Sequence, residues 1–245
     1  MRLALAVMND KIEGPERKAS VQETRLRLTF VHGAALRWIS HLDLVRLWER
    51  ALRRAGLPVA YTRGFNPQIR LQFAAALPTG CYGRAEVADL WLERPVPPDE
   101  FAARVRAQLP QGIELTRVEE VDARSPSLQA QLRAADWRVA VEASTALTST
   151  PSAEELAARV AALLAADEIP HARRRREGET PHSYDLRPLI EALWVEGVDP
   201  DGWLVLRMRL RAEPGATGRP DAVLDVLGLG DRPQRSERLA LHFLA

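Results

Sequence analysis

Apolar and polar residues alternate in several short stretches of the first half of the chain. This period of two predicts β-strands that are half buried. The stretches are residues 25–30, 69–73, 86–92 and 113–118, with a shorter edge piece at 59–61. Two segments between them repeat their apolar residues at helical spacing instead. The resulting order, β-α-β-β-α-β, is that of a ferredoxin-like domain.

The first of the two helices has clear signals at both ends. Ser40 is a favourable N-cap, and Asp43 complements the helix dipole. Gly56 and Pro58 end the helix. Its predicted apolar face consists of Leu42, Val45, Trp48, Leu52 and Ala55. The second helix opens at residues 97–100 and carries an apolar face of Phe101, Val105 and Leu109.

The second half of the chain repeats this order of elements. Its strands are predicted at 137–141, around 169, at 203–211 and at 239–244, and its helices begin at 151 and 219. The polar segment between the halves contains a Ser-Pro-Ser sequence. We therefore expect an α+β protein of two tandem ferredoxin-like (βαββαβ) domains, with antiparallel sheets and helices on one face. The expected divisions are a disordered N-terminal extension (1–23), a first domain (24–122), a linker (123–135) and a second domain (136–245).

Composition excludes several classes of protein. The single cysteine, Cys81, excludes an internal disulfide, a four-cysteine zinc site and an iron–sulfur cluster held by this chain's thiolates alone. We interpret Cys81 as a structural residue, and we expect no metal. No apolar run reaches the length of a membrane span, and no secretory signal opens the sequence. A cytoplasmic protein without a membrane partner is therefore expected.

Charge is distributed unevenly along a chain whose net charge is only +1. Residues 25–71 contain nine arginines against Asp43 and Glu49, whereas residues 85–122 contain nine acidic residues against four arginines. A face of one sign attracts phosphates or an acidic protein surface. The first helix contributes Arg46, Arg50, Arg53 and Arg54 to this predicted binding face. The alternative is an ordinary solvated helix in a chain that uses arginine in place of lysine.

Three further segments are candidate contacts for RNA or for a partner protein. Residues 64–67, Gly-Phe-Asn-Pro, form either a tight turn or a ligand-facing loop. In the second case Phe65 and Asn66, flanked by Arg63 and Arg70, would stack and bind a base. The remaining candidates are the run Arg173, Arg174, Arg175 and Arg176, together with Arg187. A solvated strand end is the alternative for the run.

Catalytic signals are sparse. Asp185, within Tyr-Asp-Leu-Arg-Pro, is a weak candidate for a catalytic carboxylate in RNA chemistry, and a cap or a partner of Arg187 is the competing interpretation. His41 and Asp43 are better explained by helix capping than by metal binding. There is no Ser-His-Asp arrangement and no glycine-rich phosphate loop, so we do not expect an independent hydrolase or NTPase.

Several motifs resemble those of the radical-SAM-associated protein family, which is built on a domain of unknown function. In the first half they are SHLDL (40–44), RALRRAGLPVAYTRGFNP (50–67), LPTG (77–80), Glu86, Asp89 and LPQG (109–112). In the second half they are YDLRPLI (184–190) and Gly218-Arg219-Pro220. After GFNP, where the family pattern has a His-Pro-Lys-like continuation, this chain has Gln68-Ile69-Arg70. The missing histidine counts against an acid–base or metal role at that turn.

The resemblance implies a partner. Members of that family occur fused behind a radical SAM enzyme domain or as separate chains, so this chain would act in trans. The iron–sulfur cluster and S-adenosylmethionine would be bound by the partner enzyme, and no cofactor by this chain. We expect a non-catalytic accessory protein that engages RNA, either tRNA or rRNA, through its basic face. The alternatives are an RNA-modifying enzyme centred on Asp185 and an adaptor that docks only on an acidic protein surface.

Overall fold

The computed structural model describes residues 23–143, 151–173 and 182–244. The elements of the first half are β1 (Thr24–His32), α1 (His41–Arg54), β2 (Leu71–Phe73), β3 (Cys81–Leu92), α2 (Pro98–Arg106) and β4 (Ile113–Val121). The second half contains α3 (Leu128–Gln131), β5 (Leu132–Glu142), α4 (Ala153–Ala165), β6 (Pro170–Arg173), β7 (His182–Asp185), β8 (Ile190–Val198), β9 (Trp203–Glu213), β10 (Ala216–Thr217), α5 (Pro220–Val226) and β11 (Gln234–Phe243). Single 3₁₀ turns at Ala34–Leu36 and Arg187–Leu189 precede α1 and β8.

Nine of these strands form one sheet that runs through both halves of the chain. Its order is β10-β9-β5-β11-β3-β1-β4, and in addition β8 pairs with β9 and β2 with β3. All pairs are antiparallel except β11 with β3, where Ser236 lies opposite Cys81 and Arg238 opposite Gly83. The strands β6 and β7 form a separate two-stranded sheet. A mixed α+β fold with a large, mostly antiparallel sheet is thus confirmed.

The longer helices cover one face of the sheet. In the first half, Leu26, Leu28 and Phe30 of β1 pack with Trp48 of α1 and Phe101 of α2. In the second half, the inward residues of β5 and β9 pack with α4 and α5 in a separate cluster. The period of two in the strands therefore places one set of side chains in a core and the other set on the opposite face. We call that opposite face the open face.

Most predicted elements of the second half are confirmed, but the segment between the halves and several strands differ from expectation. The segment 123–135 contains α3 and the start of β5, because Ser127 caps the helix and Leu128 is fully buried. The strands β7, β8 and β10 were not predicted, and the longest of the three is β8. Its register shifts between Ile190 and Ala192 and again between Val195 and Gly197, so its apolar residues lose the period of two. The division into two domains stays a prediction, as does the extension 1–23, most of which lies outside the described residues.

No helix within the described ranges is long and apolar enough to cross a membrane.

Candidate functional site

The basic helix α1 forms as its capping signals predict. The Ser40 hydroxyl accepts a hydrogen bond from the Asp43 amide, and Gly56 follows the helix with a φ of 62°. Its buried residues are Leu44, Trp48, Ala51 and Leu52. The assignment of Leu42 to the apolar face was wrong, because this side chain is 65% exposed. Leu42 instead extends the outward surface toward the N-terminal end of the helix.

The arginines of α1 differ in whether their guanidinium groups are bonded to other residues. Arg46 bonds to Asp43 at 3.3 Å and Arg53 to Glu49 at 2.6 Å, and both pairs are on the surface. Arg54 donates to the carbonyl of Gln108 and so ties α1 to the end of α2. Arg50 is exposed and has no ion pair among the described residues. We define the α1 surface as Arg46, Arg50 and Arg53.

Three of the remaining arginines of the basic segment bond to acidic residues. Arg25 and Arg27 both donate to Asp89, which is completely buried. Arg70 pairs with Glu23, and its guanidinium lies 4.8 Å from the ring of Trp91. The positive charge that is concentrated in the sequence is therefore distributed through the fold. Four arginines of the segment, Arg37, Arg50, Arg54 and Arg63, have no carboxylate partner among the described residues.

The loop between residues 62 and 68 is closed by two hydrogen bonds between Thr62 and Gln68 and has an exposed tip. The Thr62 amide donates to the Gln68 carbonyl at 2.8 Å, and the Gln68 amide donates to the Thr62 hydroxyl at 3.0 Å. Phe65 is fully exposed at this tip. Arg63 and Asn66, the other predicted contacts of the loop, are exposed beside it. The residues that connect α1 to this loop lie at the C-terminal end of β3, because the Glu93 amide donates to the Pro58 carbonyl and Val59 pairs with Leu92.

The other predicted residues lie elsewhere. Arg173 ends β6, and Arg174, Arg175 and Arg176 lie outside the described residues. Arg187 donates to the carbonyls of Leu164 and Ile190, so it joins the end of α4 to β8. Asp185 accepts from the backbone amides of Ile169 and Arg187 at 2.8 and 2.9 Å. Both side chains therefore have structural partners.

The open face carries arginines that are matched by carboxylates. Each pair joins neighbouring strands or a strand and a loop, with closest nitrogen–oxygen distances of 2.7 to 3.3 Å. The pairs are Arg84–Glu237, Arg138–Asp199, Arg207–Glu196, Arg209–Asp136 and Arg235–Asp201. This part of the sheet is therefore close to neutral, and it does not attract phosphates as a block of free arginines would.

A cleft that the sequence analysis missed lies where the two halves meet. We call it the junction cleft. It encloses about 240 Å³ and lies beside the parallel pair of β3 and β11. It is lined by Trp38, Pro78, Thr79, Gly80, Cys81, Arg219, Pro220, Asp221, Gln234 and Ser236. Parts of LPTG from the first half and of Gly-Arg-Pro from the second therefore meet there.

Close contacts around Gly80 and Gly218, one in each motif, explain why these positions are glycine. Gly80 has a φ of 90°, and a Cβ at this position would lie 3.2 Å from the Trp38 ring. Its amide donates to the Arg37 carbonyl, which holds the Trp38 segment against the LPTG turn. At Gly218 a Cβ would lie 2.9 Å from the Leu189 carbonyl oxygen. Both glycines allow backbone approaches that shape the cleft.

The polar groups of the cleft are paired or neutral. Arg219 donates to both carboxylate oxygens of Asp221 at 2.9 and 2.7 Å, and this hydrogen bonding raises the pKa of Arg219. Burial raises the pKa of the Cys81 thiol to about 11. Cys81 is therefore protonated near neutral pH and is a poor nucleophile or metal ligand there. The arrangement suits binding better than catalysis.

A buried ion pair joins the two halves of the sheet. Arg238 of β11 donates from Nε to Glu86 of β3 at 2.9 Å, and from its other nitrogens to Glu86 and to the carbonyls of Ala75 and Ala76. Both charged side chains are only 3% exposed. Burial lowers the pKa of His32 and of His41, so both imidazoles are neutral at pH 7. Among the described residues, no group of three His, Cys, Asp or Glu side chains is placed to hold a metal ion.

Residues 25–220 match the family described as "Uncharacterized protein conserved in bacteria (DUF2344)". The chain belongs to this family. No curated protein matches the chain.

Among solved structures, the chain is similar to a chain in the crystal structure of a Cbf5-Nop10-Gar1 complex. The two are 12% identical with a TM-score of 0.45, and the match covers 96% of this chain and 55% of that one. This chain thus spans little more than half the length of the structure that it matches.

Proposed function

We propose that this DUF2344 protein is a non-catalytic accessory protein that binds RNA and acts in the cytoplasm in trans with a radical SAM enzyme. The observation that carries the RNA part is an exposed aromatic ring next to Arg63, which has no ion pair among the described residues. Phe65 stands at the tip of its loop with Arg63 beside it. An aromatic ring stacks on any base, and nearby guanidinium groups contact the phosphates.

The number of available arginines limits the expected affinity. Arg50 and Arg63 have no ion pair among the described residues, and the pairs of Arg46 and Arg53 are exposed enough for a phosphate to compete with the carboxylates. Two to four phosphate contacts on a single strand correspond to a slope of log K against log salt of about −1.5 to −3. We therefore propose a modest, salt-sensitive contact.

The radical SAM part rests on the resemblance of the motifs. The iron–sulfur cluster and S-adenosylmethionine would belong to the partner, because Cys81 is the only cysteine of this chain. The non-catalytic part is supported by Asp185, whose Oδ1 accepts hydrogen bonds from two backbone amides and so has a structural role. An enzyme centred on Asp185 is therefore the weaker alternative.

The finer fold assignment is also a proposal. In the first half the strands lie in the order β4-β1-β3-β2, and in the second half the order is β11-β5-β9-β8. The four main strands of each half can be numbered 1 to 4 in chain order, which makes β8 the second strand of the second half. Both halves then have the sheet order 4-1-3-2, with a helix after the first and third strands. This repetition supports two ferredoxin-like units that share one sheet.

Filter retention of total tRNA and of ribosomal RNA fragments, from low to moderate salt, tests RNA binding. The test variant is Arg46→Gln/Arg50→Gln/Arg53→Gln. The control is Arg94→Gln/Arg117→Gln/Arg124→Gln, which removes the same charge from exposed positions elsewhere. We expect the test variant to lose most retention and the control to keep it. No retention by the wild-type protein at low salt would overturn the RNA proposal.

An adaptor is the second candidate, because Leu42 and Trp38 leave apolar surface exposed at the N-terminal end of α1. Co-purification with the radical SAM enzyme from the same organism distinguishes the two functions. Loss of enzyme binding in the α1 variant, without RNA retention in the wild-type protein, would assign α1 to a protein contact. Retention of RNA together with enzyme binding in the variant would assign α1 to RNA.

A further inference from the structure

The junction cleft has an aromatic wall with a free surface. Trp38 is 68% exposed, although one part of its ring packs against Gly80 and the guanidinium of Arg37 lies 5.3 Å from the ring centroid. The exposed part of the ring lines the cleft and is free to contact a ligand. The backbone around Trp38 is tied to the LPTG turn by the hydrogen bond from Gly80 to Arg37. The ring is therefore a positioned surface on which a flat group can stack.

The size of the cleft limits what can enter. Its volume of about 240 Å³ is below the range of roughly 300 Å³ and above that is usual for drug-sized ligands. One ring system fits within this space, whereas a whole dinucleotide or an extended cofactor does not. The rest of a larger ligand would have to remain outside the cleft.

The polar groups favour a neutral ligand over an anion. The guanidinium of Arg219 is already bound to both oxygens of Asp221, so the pair has little net charge to offer a phosphate. The exposed edges of the Arg219–Asp221 pair still provide guanidinium donors and a carboxylate acceptor on one rim of the cleft. On the other rim, the buried hydroxyl of Ser236 bonds to the side chain of Gln234 at 3.4 Å. A nucleobase has matching donors and acceptors along its edge and a neutral, flat ring.

We propose that the junction cleft binds a single nucleobase, which stacks on Trp38 and bonds through its edge to Arg219, Asp221 and Ser236. The base comes either from a free nucleotide or from an unpaired position of an RNA strand. The RNA form of this proposal rests on the proposed function, whereas the free-nucleotide form does not. Because Pro78–Cys81 belongs to the first half and residues 219–236 to the second, the site exists only when both halves are in place.

Cys81 reports on the site, because it lines the cleft and is the only cysteine in the chain. We would measure its alkylation by iodoacetamide at pH 9 by mass spectrometry, with and without AMP, GMP, CMP or UMP at millimolar concentration. At ten times the dissociation constant, the preferred nucleotide should slow alkylation about elevenfold. Ribose 5-phosphate, which lacks a base, should have no effect. Ligand-detected NMR provides a second measurement that does not depend on the thiol.

A matched pair of tryptophan variants tests the stacking. Trp38→Ala should weaken nucleotide binding about 5- to 150-fold. Trp194→Ala removes a tryptophan of comparable exposure, 51%, from β8 and should leave binding unchanged. Thermal unfolding followed by circular dichroism verifies that both variants fold. Equal nucleotide binding by Trp38→Ala and wild type would overturn the proposal, as would the absence of any nucleotide effect in both assays.

Short single-stranded RNA distinguishes the two sources of the base. If the base comes from RNA, the oligonucleotide should protect Cys81 at lower concentration than any mononucleotide, and the α1 variant should lose this advantage while it keeps mononucleotide protection. If the oligonucleotide and the best mononucleotide protect Cys81 at equal concentrations, the site would be assigned to a free nucleotide. Filter retention without any protection would overturn the cleft proposal and leave the proposed function intact. Protection of Cys81 by a nucleotide without filter retention of RNA would overturn the proposed RNA binding and leave the cleft proposal intact.

Discussion

The ion pair between Arg238 and Glu86 should be essential for the union of the two halves. Replacement of Arg238 by methionine leaves the carboxylate of Glu86 at 3% exposure without a cationic partner. It also removes the donors to the carbonyls of Ala75 and Ala76. Removal of one member of a buried pair typically costs about 3–5 kcal/mol. This is a large share of the total stability of a domain, about 5–15 kcal/mol.

Removal of both charges should cost much less than the sum of the single changes. In Arg238→Met/Glu86→Met no buried charge remains at this site, and two apolar side chains occupy the space. The side chain at position 86 has room because residue 83 is a glycine. A Cβ at position 83 would lie only 2.2 Å from the carboxylate of Glu86. We expect the double variant to recover about 2–3 kcal/mol relative to additivity, at the upper end of measured couplings.

Urea unfolding of the wild-type protein, both single variants and the double variant, followed by circular dichroism, measures this coupling. Arg209→Met is the control, because Arg209 bonds to Asp136 with the same two-pronged geometry but is 45% exposed. Loss of this exposed pair should cost less than about 1 kcal/mol. Single changes at 86 and 238 that cost no more than the control and add without coupling would refute the reasoning.

Two further predictions concern single side chains. Because burial raises the pKa of the Cys81 thiol to about 11, its alkylation rate in the folded protein should increase roughly tenfold per unit of pH up to pH 10. A plateau near pH 9, as expected of the same thiol in urea, would contradict this. Asp185→Ala should destabilise the protein by about 1–2 kcal/mol, because two backbone amides lose their acceptor, whereas Asp185→Asn should cost less. RNA retention should be unchanged in both variants, and its loss in the folded Asp185→Asn protein would argue for a functional role of this residue.

Local structure was largely readable from the sequence. The helix α1 formed between its predicted cap and its glycine, because hydrogen bonds within a few residues determine both ends. The strands with an intact period of two were recognised as well. By contrast, β8 was missed because its bulges break that period, and Leu42 was placed on the wrong face because helical spacing alone does not show where the core ends.

The charge pattern shows the limit of reading along the chain. By itself the sequence determined that one segment is rich in arginine and that the next is acidic. Only the tertiary structure decided that Asp89 lies between Arg25 and Arg27, and that Glu86 is reached by Arg238 from the other half. The junction cleft has the same origin. Its walls meet through the parallel pairing of β3 with β11, and such a contact between distant segments leaves no local pattern in the sequence.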